Sequence, residues 1–187
     1  MTRSCTAASH VAAATGVTAS DQAFTAQLDR LLTANRAALA RLAGSYARTP
    51  SDRDDLVQDI AIALWRALPS FRGECSERTF LFRIAHNRCM THLSKRRPAA
   101  LSLEDAPFES EDSSAGTEAA LSDQQERLRL LRAIRSLPLI YREVVVLSLE
   151  DMDYREIAAV VGISESNVGV RLNRARRRLR ELLGERS

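Results

Sequence analysis

The chain has 187 residues, enough for one or two small domains, and its 45% hydrophobic content suits a protein that buries a core. Its formal net charge is only +3 against a sequence pI of about 9.0, but the charges are segregated along the chain, which points to a polyanionic partner. Cys5, Cys75 and Cys89 form no C-x-x-C pair, which excludes a disulfide framework and a zinc site, and with no membrane-length apolar run or secretory signal the chain reads as a cytoplasmic protein without membrane insertion.

Residues 1–20 are small and weakly patterned, and a disordered tail is expected there. From Asp21, the spacing of Phe24, Leu28, Leu31, Leu32, Leu39 and Leu42 predicts a first core helix, continuous or broken, ending near Gly44. Ser51 to Leu68 reads as a second helix, with Ser51 as its N-cap and acids in its first turn. Leu56, Val57, Ile60, Leu64 and Leu68 make its buried stripe. Asp55, Gln58, Asp59, Ile62 and Arg66 remain outside, a mixed face that suits a partner helix, although one exposed apolar residue is also ordinary surface. Asp55 and Asp59 lie one turn apart, but no histidine or third carboxylate is placed to complete a metal site.

Pro69 ends this helix, and Phe71 to Ser76 reads as a loop. Phe80 to Lys95 resumes helical spacing, with Leu81, Ile84, Ala85 and Cys89 inward and Arg83, His86, Asn87, Met90 and Ser94 outward, where they can meet nucleic acid. Lys95, Arg96 and Arg97 stabilise the negative end of that helix and attract phosphate. His86 and His92 have no carboxylate or cysteine at ligand spacing and read as surface histidines.

Residues 98–123 hold Glu104, Asp105, Glu109, Glu111, Asp112, Glu118 and Asp123 with no Lys or Arg. Such a stretch has too little apolar area to offset the entropy of ordering it, so a flexible acidic linker is expected, either a solubilising tether or a nucleic-acid mimic lying in a positive channel of a larger partner. Gln124 to Ser136 reads as an amphipathic helix closed by Leu137-Pro138. Tyr141 to Leu149 reads as another, because the neighbouring periods are helical although its valines also suit a strand.

Tyr154 to Arg180 carries the strongest pattern. Ile157, Ala158, Val160 and Val161 form an apolar stripe, and Gly162 ends that helix in the left-handed conformation. Ser164 caps a second helix, whose stripe is Val168, Leu172, Ala175, Leu179 and Leu182. Its opposite face holds Ser166, Val170, Asn173 and Arg177, with Arg174 beside them, and has no core to serve. Two helices joined by a glycine turn, the second with a free polar and basic face, form a helix-turn-helix for the DNA major groove. The expected fold is all-α: a helical domain over 21–97, the acidic linker over 98–123, and a helix-turn-helix domain over 124–187.

Three stretches together narrow the reading: DDLVQDIAIALWRAL at 54–68, FRGECSERTFLFRIAHNRCMTHLSKRR at 71–97, and LPLIYREVVVLSLEDMDYREIAAVVGISESNVGVRLNRARRRLRELL at 137–183. In this order and spacing the chain resembles bacterial RNA polymerase sigma factors of the small, two-domain extracytoplasmic-function group. The resemblance implies a non-enzymatic factor, without catalytic residues, cofactor or metal, that binds core RNA polymerase and directs promoter recognition and DNA melting. By resemblance, Asp55, Gln58, Asp59, Ile62 and Arg66 match the helix that grips the polymerase clamp. Gly73, Glu74, Cys75, Ser76 and Glu77 match the loop that captures a base of the −10 element, and Arg83, Asn87 and Arg88 match the helix that melts and holds that strand. Ser166, Asn167, Val170, Arg171, Asn173, Arg174 and Arg177 are the implied −35 readers. The linker would thread toward the polymerase active site and RNA exit channel, and relatives are commonly held by an anti-sigma factor.

Two departures from the family's pattern accompany the match. Gly169 and Val170 stand where many relatives carry a basic residue and a serine, and a glycine inside a helix costs about 0.5 to 1 kcal/mol relative to alanine while offering a base no side chain. Glu77 and Arg78 stand where some relatives have aromatics, so the stacking partner for a flipped base is not obvious. The alternative reading is a stand-alone helix-turn-helix regulator with a ligand-sensing or dimerising N-terminal domain, which would bind its site without polymerase. A recombinase or nuclease would need a nucleophile or clustered carboxylates, which the sequence does not offer.

Overall fold

The computed structural model describes residues 19–96 and 118–184, and these fold into helices joined by short turns. The helices are α1 (Ala19–Gly44), α2 (Pro50–Ala67), α3 (Glu77–Arg96), α4 (Glu118–Arg135), α5 (Leu139–Ser148), α6 (Tyr154–Val161) and α7 (Glu165–Leu183), with a 3-10 turn at Leu68–Ser70. The all-α class expected from the periodicity holds. Most of the predicted tail and linker falls outside the described residues, but α4 begins at Glu118, inside the stretch read as linker.

In the N-terminal half, α1, α2 and α3 pack on one another around Leu39, Leu42, Leu56, Ile60, Leu64, Leu81 and Phe82, all fully buried. Each such side chain contributes about 1.5 to 3 kcal/mol of burial. The spacing of leucines carries α1 through to Gly44 without a break. Helix α2 starts earlier than the sequence reading placed it: Thr49, not Ser51, is the N-cap, its hydroxyl accepting from the Asp52 N–H at 3.1 Å, with Pro50 filling the first helical position. Proline fits there because its missing N–H is one the helix could not pair anyway. Asp52 is buried and its carboxylate accepts from the Arg48 N–H at 2.8 Å, locking the turn between α1 and α2.

The C-terminal half gathers α4, α6 and α7 around α5. Residues Glu143 to Leu147 of α5 are all buried, because neighbours enclose it on several sides. That is why its sequence lacks a clear polar face and its valines look strand-like. Val168, Leu172 and Ala175 bring α7 onto this core, whereas Leu182, expected in the same stripe, is 41% exposed.

The two halves meet. Helix α3 lies against α6, and the buried residues of both halves form one cluster. His86, read from the sequence as a surface histidine, is buried, with Nε2 3.3 Å from Glu143 Oε2 on α5. Helical spacing put it outward from the α1–α2 core correctly, but that side of α3 is covered by the other half.

Candidate nucleic-acid interface

Helix α7 is capped at both ends by its own sequence, by Ser164 at its start and by Gly184 at φ 75° at its end. Asp153 and Glu156 cap α6 reciprocally, the Glu156 N–H donating to Asp153 Oδ1 at 2.7 Å and the Asp153 N–H to Glu156 Oε2 at 3.1 Å. Gly162 ends α6 at φ 79°, and the Ser164 hydroxyl accepts from the Asn167 N–H at 3.3 Å to start α7. Ser166, Asn167, Val170, Asn173, Arg174 and Arg177 are all exposed on α7, forming a polar and basic face with the apolar Val170 in it. Arg171 is placed differently: it turns inward, its Nη1 2.6 Å from Glu143 Oε1 and its Nε donating to Asn167 Oδ1 at 3.2 Å. Gly169 lies beneath a side chain of α6. A Cβ built there would lie 3.3 Å from Tyr154 Cε2, so the absent side chain lets the α6 tyrosine ring lie against α7.

The loop before α3 is held from three directions. Gly73 sits at φ 74°, a left-handed turn that glycine takes without a Cβ clash. Ser76 caps α3, its hydroxyl accepting from the Thr79 N–H at 3.0 Å. Arg83 Nη2 donates to Cys75 Sγ at 3.2 Å, tying the loop back to the helix. Between loop and helix lies an open cleft of about 190 Å³ lined by Phe71, Arg72, Glu74, Cys75, Phe80 and Arg83. The Phe71 and Phe80 rings meet there with centroids 4.7 Å apart. Sequence reasoning missed both as site residues, because each reads as an ordinary core aromatic flanking a loop.

Within the predicted −10 set, Gly73, Glu74, Ser76, Asn87 and Arg88 are exposed, while Cys75 and Arg83 are half-buried at the cleft. Glu77 faces α1 instead, receiving Arg30 Nη2 at 3.0 Å and Gln27 Nε2 at 2.7 Å. Arg78 stacks over Phe82, its guanidinium 5.2 Å from the ring centroid, and donates to the Glu150 carbonyl of the other half.

On α2, Asp55, Gln58, Asp59, Ile62 and Arg66 share an exposed face, as the wheel predicted. Trp65, the chain's only tryptophan, stands beside Ile62 at 54% exposed against 41% for Ile62. The sequence reading left it out because it sits at the margin between the buried stripe and the polar face. The two side chains leave an apolar patch on the otherwise polar face of α2.

The contact between halves is polar at its rim and apolar inside. Arg41 on α1 grips Glu150 with two hydrogen bonds, Nε to Oε1 at 2.8 Å and Nη2 to Oε2 at 2.6 Å. That pairing raises the Arg41 pKa above its usual value. Thr79 donates to Glu156 Oε1 at 3.1 Å, Arg135 Nε donates to the Gly44 carbonyl at 3.0 Å, and the Arg142 guanidinium lies 6.0 Å from the Tyr46 ring centroid. Burial pushes the Tyr46 hydroxyl up and the Arg142 guanidinium down from their ordinary pKa values, and pushes the neighbouring Cys89 thiol up to about 12.

Comparison with known proteins finds relatives of both halves of the chain. The family model for sigma-70 region 2 matches residues 31–98, and the one for sigma-70 region 4 matches residues 127–179. The chain is 36% identical over 153 residues to the RNA polymerase sigma factor NccH of Alcaligenes xylosoxydans xylosoxydans, covering 78% of this chain and 81% of that protein. It is 34% identical over 159 residues to the ECF RNA polymerase sigma factor SigM of Mycobacterium tuberculosis, covering 83% and 76%. The fold is shared with the sigma factor RpoE of Bartonella quintana, solved in complex with the anti-sigma factor NepR, at a TM-score of 0.68 and 23% identity over 89% of this chain and 99% of that one.

Proposed function

The chain belongs to the extracytoplasmic-function group of RNA polymerase sigma factors, and we propose from that membership how its residues divide the work of starting transcription. It is a transcription-initiation factor that joins core RNA polymerase and directs it to promoter DNA. In our reading, residues 21–97 take the core and the −10 element, residues 98–123 tether, and residues 124–187 take the −35 element. The factor itself contributes no catalytic group, and bond formation stays with the polymerase. Among the described residues no helix is long and apolar enough to cross a membrane, and we place its action in the cytoplasm, where the polymerase works.

Helix α2 offers core polymerase Asp55, Gln58, Asp59, Ile62 and Arg66, to which Trp65 adds apolar area. The cleft at Gly73 to Ser76 holds a flipped base, with Phe71 and Phe80 as the stacking surface; one base on one aromatic ring is worth about 1 to 3 kcal/mol, which makes melting without ATP feasible. Arg83, Asn87 and Arg88 hold the strand beside it. Helix α7 enters the −35 major groove with Ser166, Asn167, Val170, Asn173, Arg174 and Arg177. Arg171 serves there by fixing the helix on Glu143 more than by touching bases. A sigma factor of this fold is held by an anti-sigma factor in the complex noted above, and we propose a partner of that kind here.

The observation that carries the reading is the exposed, mostly polar and basic face of α7, which no other helix among the described residues covers. Transcription in vitro with core polymerase tests it. Arg174→Ala should lower initiation roughly tenfold, the loss of one good groove contact, and only where the −35 element is intact. Equal output from intact and scrambled −35 elements would show that α7 does not read bases, and no initiation at any promoter would remove the reading altogether.

A further inference from the structure

One apolar side chain stands in the polar face of α7. Val170 is 49% exposed, and the exposed residues before and after it on that side are Ser166, Asn173, Arg174 and Arg177. Its outward direction is set by its neighbours in sequence. Val168 and Leu172 are buried in the C-terminal core, and Arg171 is held by Glu143 at 2.6 Å, so α7 is anchored on either side of the valine. Gly169 offers no side chain of its own, and the Tyr154 ring lies 3.3 Å from where its Cβ would stand. At this turn of the helix, a surface approaching the polar face meets Val170.

A lone apolar residue is ordinary on a surface that stays in water. The same residue becomes selective when the face that carries it is pressed into a major groove. Valine has no donor or acceptor, so against the edge of a base pair it displaces water and returns no hydrogen bond. Guanine presents N7 and O6 there, adenine N7 and N6, and cytosine N4, and each would lose a polar partner. Thymine presents an apolar group, its C5 methyl. The β-branch of valine strengthens the match. Its χ1 holds one rotamer in about 90% of helical cases, so both methyls are already in place and little freedom is lost on contact. With polar residues on either side, the patch suits a single methyl group and is too small for the apolar face of a partner helix.

We propose that Val170 is a specificity-determining residue of α7, and that it selects a thymine in the −35 element by van der Waals contact with the C5 methyl. The inference rests on the reading of α7 as the −35 helix and names one base which that helix reads. Ser166 to Arg174 covers about 12 Å of helix, on the order of three to four base pairs, and Val170 stands at its midpoint. The thymine therefore lies inside the element, flanked by pairs that meet hydrogen-bonding side chains.

Deoxyuridine pairs with adenine as thymidine does and lacks only the methyl, so it probes this contact without disturbing a hydrogen bond. The test uses holoenzyme reconstituted from full-length protein and core polymerase. Transcription from a promoter library randomised over both elements identifies the preferred −35 sequence, and each thymine in it, on either strand, is then replaced by deoxyuridine. For the wild type, replacement at one inner position should lower initiation about fourfold, the worth of one buried methyl-sized group. Val170→Ala should initiate equally from the thymine and deoxyuridine templates, while Val170→Ile, which keeps the branched methyl, should retain the difference. Alanine at an exposed helical position is a better helix former than valine, so that variant folds. If no inner thymine is sensitive to its methyl, or if the sensitivity persists in Val170→Ala, the inference is overturned while the sigma-factor reading stands. If the holoenzyme initiates from no member of the library, both fall together.

Discussion

Gly169 sits on a helix whose neighbours all carry side chains, and the Tyr154 ring lies against the space it leaves. Two opposing effects decide what an alanine would do there. Alanine favours the helix over glycine by about 0.8 to 1 kcal/mol. Its Cβ would stand 3.3 Å from Tyr154 Cε2, tight enough that the ring must yield by a few tenths of an ångström. Tyr154 is 43% exposed, with open solvent to move into. Gly169→Ala is therefore expected to stabilise the protein by about 0.5 kcal/mol in urea unfolding, slightly less than the propensity alone. A loss of stability would show that the ring is fixed and that the glycine is there for packing. The sequence revealed that Gly169 departs from the family's pattern, but a propensity argument sees only the helix it weakens. The ring that occupies its place comes from α6, fifteen residues earlier in the chain.

At the level of helices, local chemistry was legible and tertiary covering was not. Gly162 and Ser164 end one helix and start the next as read, because caps are set by the residues at the turn itself. The first cap of α2 was misassigned by two residues because Thr49 and Ser51 are chemically equivalent candidates, and only Pro50 between them decides in favour of Thr49. On α2 the wheel found the exposed face but omitted Trp65, whose apolar character argues for burial until its neighbours are known. Trp65 supplies the largest apolar area on that face. Large aromatics dominate binding when they are covered in a complex, so Trp65→Ala is expected to weaken core polymerase binding by about 2 kcal/mol, roughly 30-fold. Fold stability should change little, since half of that side chain already faces water. Asp59→Arg should weaken core binding as well through its charge. Titration of each variant onto core polymerase, with unfolding measured in parallel, separates the two effects; undiminished affinity in Trp65→Ala would mean that the polymerase-binding face is centred elsewhere.

For the whole molecule, charge placement matters more than charge total. Removing the seven acids of residues 98–123 from a net +3 leaves +10 on the remainder, much of it arginine on α7. A chain with that distribution would bind any duplex through phosphates. Covalently attached acids compete with those phosphates for the same arginines within a Debye length, about 10 Å at 0.1 M salt, and lower non-specific affinity. Such competition needs only opposite charge on the same chain, which the sequence makes visible. Replacing Glu104, Asp105, Glu109, Glu111 and Asp112 with Gln or Asn should raise the free protein's affinity for random duplex by about tenfold at low salt, with a smaller gain at high salt as screening takes over. Fluorescence anisotropy across a salt series measures both. If affinity does not rise, the acids do not shield the basic helix, and the modest net charge would be no guide to how this factor avoids bulk DNA. If it rises equally at all salt concentrations, the effect is not electrostatic, and the segment acts through its apolar residues instead.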